Sequence, residues 1–173
     1  MLSLPLSRLA QEDIIETIGQ EWFLATAGTP ENFNMLTASW GGIGYLWNKP
    51  VAFLFIRPER HTHGFIEANE RVTLAFLGHE KAMRQAYGLC GTKSGRDMNK
   101  AEAAGLTPIA TPQGCTTFAE ARLTIEGRKL FRINMEEANF LDKEVLERWY
   151  HDGPNGSFHT IYVVEIEAVY GAE

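Results

Sequence analysis

An antiparallel β-barrel carrying small helical insertions is the fold this sequence predicts: mainly β, with short helices. Three observations predict it. Short apolar or alternating runs recur along the chain, among them Trp22–Thr26, Val51–Ile56, Val72–Phe76 and Ala121–Glu126. Turns and short helical patterns separate them, rather than the regular crossover helices that a parallel sheet needs. The 173 residues, 45% apolar and 22% charged, suit one domain with one sizeable core.

In order, Leu9, Ala10, Ile14, Ile15 and Ile18 recur at helical spacing, which predicts a helix over 8–18 with Ser7 as N-cap and Gly19 as its stop. Trp22–Thr26 is a strand and residues 28–32 a Gly/Pro loop. Asn34 to Gly42 starts as a strand and runs into a glycine turn. Val51–Ile56 is apolar on both faces, so a strand buried on both is expected. Thr62 caps a short helix through Phe65, Ile66 and Ala68, Val72–Phe76 is a strand, and residues 80–89 are helix. A polar, glycine-bearing loop then enters a short helix with Asp97 as N-cap. Residues 106–116 are loop. Ala121–Glu126 is a strand that continues, past a bulge at Gly127, to Ile133. Asn134 and Glu137 have capping-box spacing at a helix start, and Val145, Leu146 and Trp149 mark a second helix. Residues 151–158 are loop, and the last strand places Tyr162, Val164, Ile166 and Ala168 on one face.

Composition excludes several function classes. The net charge is −6, so no excess of Lys and Arg exists to neutralise nucleic-acid phosphates or an anionic membrane. The longest unbroken apolar run, Val51–Ile56, is far too short to span a bilayer. The N-terminus lacks a basic segment followed by an apolar one. Cys90 and Cys115 stand in no metal-type spacing and suggest no disulfide framework. A cytoplasmic protein is expected, with no nucleic-acid and no membrane partner.

Three stretches carry the chemistry. In Asn34-Met35-Leu36-Thr37-Ala38-Ser39-Trp40-Gly41-Gly42, small residues let a flat ligand approach the backbone, and short side chains add donors and acceptors. Arg57-Pro58-Glu59-Arg60-His61-Thr62 puts two guanidinium groups and a hydroxyl at a strand end and helix start, a setting suited to phosphate. Ser94-Gly95-Arg96-Asp97-Met98-Asn99-Lys100 repeats that logic. Each alone reads as a turn or a solvated basic loop. Together, in an acidic chain, they point to one anionic ligand with a flat ring.

These motifs, in this order and with Asn48-Lys49-Pro50 between them, resemble the flavin reductase-like proteins, with the flavoredoxin-like branch nearest. The resemblance runs from about Trp22 to the last strand. It implies an FMN-binding split barrel of Greek-key topology, a homodimer, and FMN near the subunit interface. By position it implies that Asn34, Met35, Leu36, Thr37, Ala38, Ser39 and Trp40 line the ring and ribityl chain. Arg57, Arg60 and Thr62 would serve the phosphate and ribityl side. Ser94, Gly95, Arg96, Asp97 and Lys100 would complete the pocket. Glu59 stands where the family often has Ser, and Asn99 where it often has Asp. His159 opens the last strand and either faces the flavin or substrate pocket or is a hydrogen-bonded structural histidine.

The activity implied is an NAD(P)H-dependent flavin oxidoreductase, in which bound FMN accepts a hydride. The other reading is a flavoredoxin-like carrier that passes electrons to a protein partner. No Gly-x-Gly-x-x-Gly is present, so NAD(P)H would bind over the flavin face. His61 and His63 form a His-x-His, but Pro58 and the helix start oppose the strand geometry that a metal would need, and no metal site is expected. Cys90 stands on an apolar helix line, as a small core residue does.

Overall fold

The computed structural model describes residues 1–151 and 157–172. Strand β1 (Leu2–Leu4) leads into a 3-10 helix (Leu6–Gln11), a single turn α1 (Ile14–Glu16) and a π turn (Thr17–Glu21). The continuous helix expected over 8–18 is therefore broken. Asp13, not Ser7, is the cap: its carboxylate accepts the amides of Ile15 and Glu16 at 3.1 Å each. A polar side chain satisfying free helix amides outweighs the apolar spacing around it.

Strands β2 (Phe23–Thr29) and β3 (Asn32–Ala38) form a hairpin, so the loop expected over 28–32 shrinks to Pro30 and Glu31. Strands β4 (Gly41–Leu46) and β5 (Lys49–Ile56) form a second hairpin. It turns through Trp47 and Asn48, whose φ angles of 51° and 58° match the twist of tight hairpins. Gly41 and Gly42 are thus strand residues, not a turn. Their small size is used elsewhere: a Cβ on Gly41 would stand 2.7 Å from the Phe53 carbonyl, and the Phe53 ring covers Gly42 and Gly44. Only one face of β5 is fully buried; Ala52, Leu54 and Ile56 point inward, while Phe53 and Phe55 stay partly exposed.

Helix α2 (His61–Ala68), β6 (Arg71–Phe76), α3 (Lys81–Thr92), α4 (Lys100–Ala103), β7 (Pro108–Ala110) and β8 (Thr116–Phe118) follow. β7 pairs with β8 inside the region expected to be loop. Neither expected cap is used. Thr62 lies within α2 and turns its hydroxyl inward, and Asn99, not Asp97, caps α4 by accepting the Glu102 amide at 3.3 Å. Strand β9 (Leu123–Asn134) is followed by a 3-10 turn (Glu137–Asn139), α5 (Lys143–Leu146), a π turn (Glu147–His151) and β10 (Thr160–Gly171). Asn134 ends β9 and its Oδ1 accepts from Thr160 and Arg132 at 3.0 Å, so it caps no helix. The loop expected over 151–158 lies largely outside the described residues.

Among the described residues, eight strands form one antiparallel sheet in the order β3-β2-β6-β9-β10-β5-β4, with β1 on β10. The long β9 and β10 hold it together. Gly127 admits the close approach of β10, since a Cβ there would lie 2.3 Å from the Glu165 carbonyl. The β9–β10 register shifts twice, between Val163 and Val164 and between Ile166 and Ala168. The second shift carries Val169 inward in place of Ala168, which ends the predicted alternating face. Phe23, Leu36, Leu54, Ile66, Leu74 and Tyr162 fill the interior. Leu24, Met35, Tyr87 and Phe118 build a second core on the outer face, under α3 and α4. The site forms where these two layers meet at the end of β3.

Candidate functional site

A cleft of about 180 Å³ opens beside the end of β3. Leu36, Thr37, Ala38, Ser39 and Trp40 form one side; Phe55, Ile56 and Arg57, from the end of β5, form another, with Arg60 and His159 at its margins. The chain here is small where it must be approached and fixed where it must not move. Thr37, on the cleft wall, donates its hydroxyl to the Tyr87 carbonyl at 2.7 Å, tying β3 to α3. Trp40 packs edge-on against Trp149, with ring centroids 5.0 Å apart.

A second cleft, of about 410 Å³, adjoins the first through Arg60. Its other walls are Glu59 and His61 at the start of α2, the run from Gly91 to Arg96, and Lys100. Lys100 is 4% exposed. Its Nζ donates to the Met35 carbonyl and, at 3.5 Å, to that of Cys90. Arg60 donates to the same Cys90 carbonyl at 3.4 Å, and Arg96 to the Glu59 carbonyl at 3.5 Å. Among the described residues these three cations bond to carbonyls and to no carboxylate. Burial pushes Lys100 down to about 8, with Arg60 adding to the effect against Cys90. Burial also lowers Arg60 and, together with Arg96 and Lys100, His61. Desolvated positive charge of this kind is relieved by an anion.

Asn34 and Thr62 line neither cleft; Asn34 forms the floor under Gly95 of the second one. Its Oδ1 accepts the Thr62 hydroxyl at 2.7 Å, both residues being buried. Gly95 rests directly on it: a Cβ would fall 1.8 Å from Asn34 Nδ2. Ser94 accepts the Arg96 amide at 3.2 Å through its hydroxyl and the Asp97 amide at 3.2 Å through its carbonyl. Asp97 is exposed. Glu59, which would repel a phosphate, has its carboxylate engaged by the Ser157 hydroxyl.

The structure therefore gathers Leu36 to Trp40 and Arg57 on the first cleft, Ser94, Gly95, Arg96 and Lys100 on the second, and Arg60 on both. Met35 contributes its carbonyl to Lys100 while its side chain fills the outer core. The Arg57 guanidinium donates to the carbonyls of Ser157 and, at 2.8 Å, Trp149, and lies 5.1 Å over the Tyr150 ring. His159 is buried at the first cleft, its Nδ1 2.9 Å from the Tyr150 hydroxyl. Burial, aided by Arg57 against Glu59, brings it down to about 4. His61 and His63 do not converge, being two apart on a helix; His63 Nε2 lies 3.0 Å from the Thr160 hydroxyl. Trp47 stands away from both clefts, packed on Phe131.

Sequence reasoning missed Phe55, Ile56, Thr92, Lys93 and Tyr150. Ile56 and Phe55 were visible as the residues before Arg57 on a predicted strand. Tyr150 carried no signal beyond its place beside an apolar helical pattern.

Comparison with known proteins bears on the fold and the family. No curated protein matches the chain. Solved structures do. An FMN-binding protein from Thermus thermophilus with bound 1-cyclohex-2-enone is 21% identical over 87% of this chain and 69% of its own, with a TM-score of 0.63. The flavoredoxin of Desulfovibrio vulgaris (Miyazaki F) is 20% identical over 88% and 69%, with a TM-score of 0.65. Nitrilotriacetate monooxygenase component B from Bacillus cereus is 15% identical over 100% and 82%, with a TM-score of 0.66. At these identities the likeness is one of fold, the split barrel. The model of the flavin reductase like domain matches residues 16–173, nearly the whole chain, and the protein belongs to that family.

Proposed function

We propose that this protein is an FMN-dependent oxidoreductase that takes reducing equivalents from NADH or NADPH. One observation carries the reading: Arg60 and Lys100, both desolvated and bonded only to carbonyls among the described residues, stand where a small-residue cleft meets a second, cationic one. That donor set fits a phosphate, and the adjoining cleft along Ala38 and Ser39 fits a flat ring. When bound, FMN supplies the hydride and electron chemistry.

The residues of the chain bind, orient and exclude. Lys100 and Arg60 would hold the phosphate, with Arg96 and the Ser94–Gly95 backbone beside it. Asn34, fixed by Thr62, keeps Gly95 at its closest approach. Backbone amides along Ala38 to Trp40 would donate to the ring, and Trp40, on the cleft wall, would help to exclude water. Arg57 ties the Trp149 and Ser157 carbonyls to the cleft wall. His159 stays neutral at physiological pH and offers a hydrogen bond without a charge.

The working unit is a homodimer of one split-barrel domain per chain. Support comes from the exposed aromatics of the β4–β5 hairpin, Tyr45 at 72% and Trp47 at 55%. Light scattering that gives a monomer carrying stoichiometric FMN would overturn it. Two free cysteines agree with a cytoplasmic setting, and no helix among the described residues is long and apolar enough to cross a membrane. The deciding experiment is anaerobic mixing of the FMN-loaded protein with NADH and with NADPH. Rapid loss of flavin absorbance is expected with one or both. Flavin that dithionite reduces but neither nicotinamide does would favour the electron-carrier reading.

A further inference from the structure

Lys100 is 4% exposed, yet its side chain lines two cavities. One is the second cleft, of about 410 Å³; the other, of about 260 Å³, lies beside the β2–β3 hairpin and is walled by Asn32, Phe33 and Met98. Among the described residues its Nζ bonds only to the carbonyls of Met35 and Cys90. Carbonyls accept from an amine and an ammonium alike, whereas a carboxylate partner would favour the ammonium. Burial brings the group down to about 8, so an appreciable share of it is free amine near neutral pH. The neighbouring Cys90 thiol is the rival nucleophile. It is fully buried and pushed up to about 11, which leaves it protonated.

The second cleft also gathers the reagent that such an amine can use. Arg60, Lys93, Arg96 and Lys100 line it against a single carboxylate, Glu59, in a chain whose net charge is −6. That carboxylate accepts the Ser157 hydroxyl. The cleft therefore concentrates phosphate-bearing anions. Its volume exceeds what one phosphate fills, which leaves room for a short acyl chain beside it.

We propose that Lys100 is an acylation site: an acyl phosphate held by Arg60 and Arg96 transfers its acyl group to the Lys100 amine. The nitrogen lone pair attacks the acyl carbon and an N–C bond forms. The C–O bond to the phosphate breaks, phosphate leaves with its electron pair, and the nitrogen gives one proton to solvent. Nothing is oxidised or reduced. The product is an uncharged amide with one N–H left for the Met35 carbonyl. The consequence rests on the flavin reading: acylation removes a cation assigned to the FMN phosphate, so it regulates loading of the cofactor.

Acetyl phosphate is the probe. The full chain, flavin-free in one arm and saturated with FMN in the other, is treated at neutral pH, and peptide mass spectrometry follows the acetyl content of each lysine. In the flavin-free chain Lys100 should react at least about fivefold faster than Lys93, exposed in the same cleft, and than Lys81, exposed at the start of α3. Inorganic phosphate should slow Lys100 at least about twofold and leave Lys81 unchanged. FMN should protect Lys100, and the Lys100-acetylated chain should bind FMN about tenfold to a hundredfold more weakly. Lys100→Arg keeps the charge without the amine, so the same treatment should leave its FMN affinity intact. If Lys100→Arg does not fold by circular dichroism, the site-resolved rates in the unmodified chain decide. Lys100 reacting no faster than Lys93, indifference to inorganic phosphate, or equal loss of FMN affinity in Lys100→Arg would overturn the proposal. The two claims fail separately. FMN bound by a chain whose Lys100 is unreactive sinks this inference alone, while a selectively reactive Lys100 in a chain that never takes up FMN sinks the flavin reading and leaves the acylation site.

Discussion

Arg60 and Lys100 donate to the same carbonyl oxygen, that of Cys90, at 3.4 and 3.5 Å. Two cations sharing one neutral acceptor repel each other; burial lowers both, with Arg60 adding to the effect on Lys100 and Glu59 opposing it at Arg60. Burying both charges is costly in the free protein, and an anion bound beside them would relieve that cost.

Lys100→Met should therefore move two quantities in opposite directions. Holding Lys100 charged at neutral pH, against a folded value of about 8, costs roughly 3 kcal/mol. Removing the charge should stabilise the free protein by about 1–3 kcal/mol in urea unfolding, less whatever the Met35 carbonyl loses. FMN affinity should fall about tenfold to a hundredfold, since one charge-assisted hydrogen bond contributes roughly 1.5–3 kcal/mol. Riboflavin, which lacks the phosphate, should bind the two proteins alike. A destabilised variant with unchanged FMN affinity would contradict the site.

The pH dependence of FMN binding follows with a definite sign. Lys100 is charged in the free protein below about pH 8 and neutral above it. A phosphate dianion raises that value in the complex, so binding takes up a proton on the alkaline side. Affinity should be full below pH 8 and fall above it, with a limiting slope of about tenfold per pH unit. Fluorescence titrations between pH 7 and 10 measure this, and Lys100→Met should flatten the curve.

Gly95→Ala probes the floor. Its Cβ would overlap the Asn34 amide at 1.8 Å, and Asn34 holds Thr62. The 94–96 run must shift or the Asn34–Thr62 bond must break. Overpacking of this kind costs typically about 1–3 kcal/mol, and FMN affinity should drop with it. Ser94→Ala leaves the floor untouched and should have a smaller effect on both. Equal behaviour of the two variants would argue against the close contact.

What the sequence disclosed is what local chemistry controls. Small residues after β3, arginines after Pro58 and the Ser94–Lys100 run were readable as ring and anion surfaces because each acts near its own backbone. The clustering of Arg60 and Lys100 on Cys90 depends on α2, α3 and α4 packing together, which no spacing records. Asp97 and Asn99 are equally good caps on paper; the backbone chose Asn99. Trp47 and Asn48 adopt positive φ without a glycine, so Asn48 was the hairpin's one local turn signal and Trp47 obscured it. The Tyr150–His159 bond joins residues separated by a stretch without pattern, and only the fold brings them to 2.9 Å.

That bond makes a last prediction possible. His159 is 6% exposed, and its folded value of about 4 lies below the ordinary histidine value of 6.5. Between those values the unfolded chain binds a proton that the folded chain refuses, so stability falls as pH drops below 6.5, by on the order of 3 kcal/mol in all. His61 and His63, also lowered by burial, tilt the curve the same way, and the measurement is therefore a difference. Urea unfolding at pH 6.5 and pH 5, above the carboxylate range, should show the unmodified protein losing about 2 kcal/mol more than His159→Gln. Equal losses in the two proteins would mean that His159 takes up its proton in the folded state, and that the Tyr150 hydroxyl does not hold it as a neutral donor at the cleft.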